Sequence, residues 1–332
     1  MTPLVRTALV LSAFVLSVAI PAFGAEVPAN WRHAWPDTDF ETLLVDPAEI
    51  LSGGPPKDGI PAITGPTMIE ATSEDALDAR EPVMVLALAS ARPRAYPVRY
   101  LMWHEIVNDT VTGTTGEIPV AVTFCPLCNS GLVFDRRLDG QVLEFGVTGK
   151  LRYSDMIMYD RQTESWWQQF NGTSIVGSLA GRKLTTLPAL MLGWQSFREA
   201  HPDGLVMAEP DRYSRPYGQN PYTSYDSGRP FLYRGEMPPE GIPPTSRVVR
   251  VGARAWPLIR LAEAGELTEA GMTLSWQKGQ ASALDTRRIA DGREVGDIRV
   301  IDATTGEPVA FEVVFAFAFQ AFHPDGEWMR GQ

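Results

Sequence analysis

Short apolar runs bounded by turn-forming residues recur along this chain, which is the pattern of strands rather than of long helices. Val83-Met84-Val85-Leu86-Ala87-Leu88 is one such run. Residues 118–124 form a second, and residues 141–147 follow a turn at Leu138-Asp139-Gly140. Residues 248–251, 298–301 and 312–317 read likewise. A helical apolar period is rarer; it is present over residues 190–200 and 256–264, with a short helix expected near residues 73–79. The predicted fold class is therefore α+β, β-rich.

The pattern also repeats. Arg94-Ala95-Tyr96-Pro97-Val98 returns as Arg254-Ala255-Trp256-Pro257-Leu258, and His201-Pro202-Asp203-Gly204 returns as His323-Pro324-Asp325-Gly326. Two matches in one order predict two related modules by internal duplication, residues 83–210 and 247–332. Residues 211–246 join them as a connector rich in Pro, Gly and Tyr, whose turn formers disfavour helix. Its six aromatics, Tyr213 to Tyr233, predict that it packs across the modules rather than swinging free. Residues 25–82 read as an N-terminal leader with a turn at Gly53-Gly54-Pro55-Pro56.

Residues 1–24 carry the marks of a cleaved signal peptide: Arg6, an apolar stretch over residues 8–20, and Ala22-Phe23-Gly24 before the cut. The stretch is short for a bilayer span, and no later segment reaches that length. The mature chain is expected in the periplasm or outside the cell, with no membrane attachment. Net charge is −11, or −12 once Arg6 is removed, with 28 basic against 40 acidic residues. That excess of acid excludes phosphate backbones as partners, so no nucleic acid is expected.

The chain has two cysteines, in Thr123-Phe124-Cys125-Pro126-Leu127-Cys128-Asn129-Ser130-Gly131. In a thioredoxin-like site Cys-Pro-x-Cys opens a helix that stabilises the first thiolate. Here Gly131 and the strand-like Leu132-Val133-Phe134 follow at once, so a turn between strands is expected, as in a metal knuckle. Three readings stay open: a soft-metal site, a thiol–disulfide oxidoreductase with Cys125 attacking and Cys128 resolving, and a structural disulfide. In the last case the protein is a non-catalytic binding module, holding a small molecule on an aromatic groove of Trp166, Trp167 and Trp194. The leading reading is a metal bound by Cys125 and Cys128 with His104 and Met158, supported from behind by Glu105 or Asp160. Thiolate, thioether and imidazole suit copper(I), whereas thiolate, imidazole and carboxylate suit zinc. Asp155, Asp160 and Glu164 offer carboxylates, but acids are commonly exposed. His201 and His323 precede Pro-Asp-Gly, where a repeated turn explains them without chemistry. No serine–histidine constellation or phosphate-binding loop is visible.

Ala95-Tyr96-Pro97, His104-Glu105 with Asn108-Asp109, residues 123–128, Phe145-Gly146-Val147-Thr148-Gly149, Met158-Tyr159-Asp160-Arg161 and Trp194 with His201-Pro202 occur in an order that resembles the family catalogued as domain of unknown function 3179. The resemblance covers about residues 83–329. It implies an exported bacterial or archaeal protein and carries over no activity. Phe315-Ala316-Phe317-Ala318-Phe319 stands where that family typically has tryptophans, a departure confined to the second module.

Overall fold

A computed structural model gives the fold and describes residues 26–331. The expected signal segment lies outside the described residues. Five sheets of three to five strands and one two-stranded ribbon make up a β-rich molecule with a propeller-like arrangement. Helices are few and no described one exceeds seven residues. None is long and apolar enough to cross a membrane.

Two of the sheets are assembled in the same order. Pro82–Leu86 pairs antiparallel with Arg94–Pro97, and the helix Val98–His104 follows. Arg247–Val251 pairs antiparallel with Arg254–Pro257, and the helix Leu258–Ala264 follows. Next comes a three-strand meander: Ile106–Gly113, Gly116–Cys125 and Ser130–Asp135 in the first case. In the second it is Glu266–Glu269, Met272–Gln277 and Asp297–Asp302. The chain then returns to the sheet, as Ala189–Gly193 or Glu312–Phe315, and enters a helix, Trp194–Ala200 or Ala316–Phe322. Each set ends on a short strand parallel to the second strand of the opening pair.

Side chains echo this order. The Tyr96 hydroxyl donates to Asp109 at 2.7 Å, and the Trp256 indole donates to Glu269 at 3.2 Å, each acid lying in the strand after the helix. Both His-Pro-Asp-Gly segments make one turn: the histidine N–H closes the preceding helix and its carbonyl accepts from the glycine N–H at 2.9 Å.

Three expected elements differ. Residues 190–200 are not one helix: Leu190 and Leu192 pair with Val85 and Val83 in the sheet, and the helix begins at Trp194. Residues 312–317 divide in the same way at Phe315. In both, a strand runs straight into a helix, so an apolar stretch serves two periods and neither is legible alone. Near residues 73–79 there is only a 3₁₀ turn, Ala71–Ser73, because the Glu74 carboxylate takes the Ala76 N–H at 2.6 Å and competes with helix formation.

The core is shared along the chain. Val122, Phe124 and Phe134 lie in one buried cluster with Val248, Phe315 and Phe317, and Tyr213, Tyr217, Tyr222, Tyr225 and Tyr233 pack against it. Residues 211–246 hold only a 3₁₀ turn, Tyr225–Ser227, and are tied down by charge. Asp226 is buried and receives Arg247 at 3.0 Å, the Ser282 hydroxyl at 2.5 Å and Arg293 at 2.9 Å.

Removing one partner of a buried ion pair leaves the other charged and dry, at about 3–5 kcal/mol. Asp226→Ala is expected to lower unfolding stability by that amount in a urea titration. Arg293→Ala, at a half-exposed position, is expected to cost well under 2 kcal/mol. Equal losses for the two variants would show that Asp226 is not the anchor.

Candidate metal centre

The cysteine turn is short and fully determined by local chemistry. Cys125 ends one strand and pairs with Ser130, the first residue of the next. Pro126 supplies a fixed φ and asks for no hydrogen-bond acceptor. The Cys128 N–H reaches the Cys125 carbonyl and the Asn129 N–H the Pro126 carbonyl, each at 3.3 Å. Asn129 closes the turn at φ 50°, a left-handed conformation that asparagine tolerates. No helix follows Cys128, as the sequence leads one to expect.

The distant C-terminal strand covers this turn. The Phe315 N–H donates to the Cys128 carbonyl at 2.9 Å, and the Asn129 side chain donates to the Val313 carbonyl at 2.8 Å. Cys125 and Cys128 are consequently buried, and both are free.

A third group joins them from a neighbouring sheet. Phe145–Arg152 and Asp155–Asp160 are linked by Tyr153 and Ser154, both at positive φ, in a tight hairpin turn. That turn delivers Asp155 to the sulfurs: one carboxylate oxygen of Asp155 and the Sγ atoms of Cys125 and Cys128 lie within 4.8 Å of one another. The Cys125 thiol donates to the Ser154 carbonyl at 3.7 Å. Asp155 Oδ2 accepts from Gln168 Nε2 at 2.6 Å and from the Phe170 N–H at 2.9 Å. Its Oδ1 is buried and has no partner among the described residues, as do Ser130 Oγ and Gln169 Oε1.

Glu105 stands nearby in an unusual backbone state. It caps the helix Val98–His104 at φ 59°, where the equivalent cap in the second set of elements is Gly265 at φ 74°. Glycine adopts positive φ freely; a glutamate does so only when its surroundings hold it there. Burial pushes the Glu105 carboxyl up to about 8, and the charge of Asp155 adds to the shift. Burial likewise pushes Asp155 up to about 7. Both thiols are raised by burial, Cys128 well above the usual cysteine range. These four groups thus hold protons more tightly than in water, the opposite of an activated thiolate.

The sequence-derived ligand set divides. Cys125 and Cys128 come together. His104 is buried with both nitrogens engaged, Nδ1 with the Pro61 carbonyl and Nε2 with the Tyr217 hydroxyl, each at 2.7 Å. A carbonyl can only accept, so Nδ1 carries the proton and Nε2 spends its lone pair on tyrosine, leaving none for a metal. Met158 is buried between Val147 and Trp167 of its sheet, while Met156 reaches the cavity beside the turn. Asp160 is committed to its own turn, accepting from Thr163 N at 2.7 Å and Trp167 Nε1 at 2.9 Å. Glu105 does adjoin the site.

The expected aromatic groove is not formed. Trp166, Trp167 and Trp194 are fully buried in three separate core clusters, because each fills the interior of a different sheet packing. Asp155 is the residue that sequence reasoning undervalued. Its strand, Asp155-Met156-Ile157-Met158-Tyr159-Asp160, is apolar at both alternating positions, so neither face meets water and an acid at its start has to be buried.

The family described as Protein of unknown function (DUF3179) matches residues 57–326, most of the chain. No curated protein and no solved structure matches it.

Raised carboxyl values set a direction for stability. Between the ordinary glutamate value of about 4 and the folded value near 8, the folded state binds more protons than the unfolded state. Stability is therefore fully present at low pH within this window and is lost as pH rises through it. Metal-free protein is expected to lose a few kcal/mol between about pH 5 and pH 8.5 in urea unfolding. Glu105→Gln is expected to make the profile shallower, with Asp155 supplying the slope that remains, and an equally steep one would remove Glu105 as a cause.

Proposed function

We propose that this chain, which belongs to the family of proteins of unknown function DUF3179, is an exported protein that binds one zinc-class metal ion through Cys125, Cys128 and Asp155. The observation that carries this reading is the buried meeting of Asp155 with two free thiols, one carboxylate oxygen and both sulfurs lying within 4.8 Å of one another. A cation bound by a carboxylate oxygen and two thiolates offsets the charge of all three groups.

The donor set favours zinc. Two thiolates and a carboxylate suit a borderline tetrahedral ion, whereas copper(I) prefers sulfur and imidazole. Copper is the second reading, favoured by the thioether of Met156 in the adjoining cavity. The oxidoreductase reading is weaker because burial raises both thiols and no helix N-terminus lowers them. Ligation also suits an exported chain, since a metal keeps paired thiols from oxidising in the periplasm. On this reading the two similarly ordered sets of elements are copies of one ancestral module, residues 83–210 and 247–332. The second contributes the cover over the turn.

Protein purified from the periplasm is expected to carry about one zinc per chain by elemental analysis. Asp155→Asn is expected to weaken zinc at least about 100-fold, beyond the usual range for groups that only support a ligand. His104→Gln, outside the donor set, is expected to keep the metal. Equal metal content in the wild type and a Cys125→Ser, Cys128→Ser variant would end the proposal.

A further inference from the structure

Beside the cysteine turn lies a cavity of about 260 Å³, lined by Glu105, Leu127, Met156, Tyr222, Tyr225 and Phe231. It is just smaller than the pockets that hold drug-sized ligands. Its outer wall is the connector, where Phe231 is 46% exposed and marks the mouth. Phe231 is fixed there at both ends: its N–H donates to the Tyr225 hydroxyl at 3.0 Å, and its carbonyl accepts from the Ser154 hydroxyl. The Tyr222 and Tyr225 rings meet at 66° with centroids 6.5 Å apart, like two walls of a box.

The inner wall is acidic. Glu105 is only 8% exposed and lines the cavity, and burial and the charge of Asp155, also an acid, rather than any hydrogen bond, act on its carboxyl. Lys150 contributes to the lining too, but its ammonium lies over the Trp31 and Trp166 rings, 4.8 and 5.4 Å from their centroids, and so is spent elsewhere.

We infer that this cavity is a binding site for a small organic cation of the methylated-ammonium class, held by the Glu105 carboxylate and the faces of Tyr222, Tyr225 and Phe231. An acid without a hydrogen-bond partner, at a cavity walled by three aromatic rings and by aliphatic side chains, supplies what such a cation needs: one counter-charge, electron-rich rings, apolar contact for its methyl groups and no demand for hydrogen bonds. A monatomic ion is a poorer fit, because tyrosine and phenylalanine walls do not replace its hydration shell. The inference rests on the cavity and not on the metal reading. It also explains why a glutamate occupies a cap that the second set of elements gives to glycine: the strained backbone aims a carboxylate into the box.

The test is calorimetric titration of the full mature chain, at a pH above the value of about 8 at which Glu105 loses its proton, with tetramethylammonium chloride and, separately, with neopentyl alcohol, its uncharged counterpart in shape. Tetramethylammonium is expected to bind at least about 10-fold more tightly than the alcohol. Glu105→Gln and Tyr222→Leu are each expected to weaken it by at least about 10-fold, with unchanged far-ultraviolet circular dichroism. The Cys125→Ser, Cys128→Ser variant is expected to bind it as the wild type does, which separates this site from the metal centre. Equal affinity for alcohol and cation, no binding by the wild type, or full competition by zinc chloride alone would each overturn the inference.

Discussion

Two hydrogen bonds between chain segments far apart in sequence govern the architecture of this protein: Phe315 N–H to the Cys128 carbonyl, and the Asn129 side chain to the Val313 carbonyl. A tight turn at the end of a hairpin would ordinarily project into water. Here the strand Glu312–Phe315 lies against it, so the turn becomes interior and its sulfurs lose solvent. The connector follows from the same constraint. With Arg247 held between Asp226, Ser282 and Asn129, residues 211–246 are drawn across the turn, and their tyrosines close what the strand leaves open. Burial of the cysteines is thus a tertiary property to which four parts of the chain contribute.

That enclosure sets the electrostatics. Thiols and carboxyls brought together in a dry interior disfavour their own ionisation and each other's, which is why Glu105, Asp155, Cys125 and Cys128 all shift in the direction of the protonated form. Several other buried acids are paired with cations: Asp109 takes Arg94 and Tyr96, Glu81 takes Arg99, and Asp226 takes two arginines. Against that habit, the cluster of two acids and two thiols is held neutral by its protons, and a cation that displaced them would meet four groups ready to carry charge.

Much of this was legible in the sequence, and what was not has identifiable causes. Apolar runs located several of the strands, because a strand buried on both faces is a continuous apolar segment. Gly131 and the alternation after it correctly excluded a helix behind Cys128. The repeated Arg-Ala-aromatic-Pro and His-Pro-Asp-Gly segments pointed to elements that recur in the same order. Strand-to-helix junctions at Gly193 and Phe315 were invisible, since one apolar stretch serves both periods. Asp155 was offered as a carboxylate but not placed beside the sulfurs, because its hairpin turn uses Tyr153 and Ser154 instead of the Asn-Gly pair that announces such turns. His104 was misjudged as a donor for another reason. Its neighbours Pro61 and Tyr217 are remote along the chain, and only folding reveals that both of its nitrogens are already occupied.

The covering strand also imposes an order of events. A chain that emerges amino end first presents the turn at residues 125–130 long before residues 312–315 exist to cover it. During that interval the two sulfurs are as reachable as those of a free peptide; afterwards they are walled in. A metal ion or an oxidant therefore meets least obstruction while the last segment is still on its way; afterwards its approach is narrowed to the cavity beside Leu127.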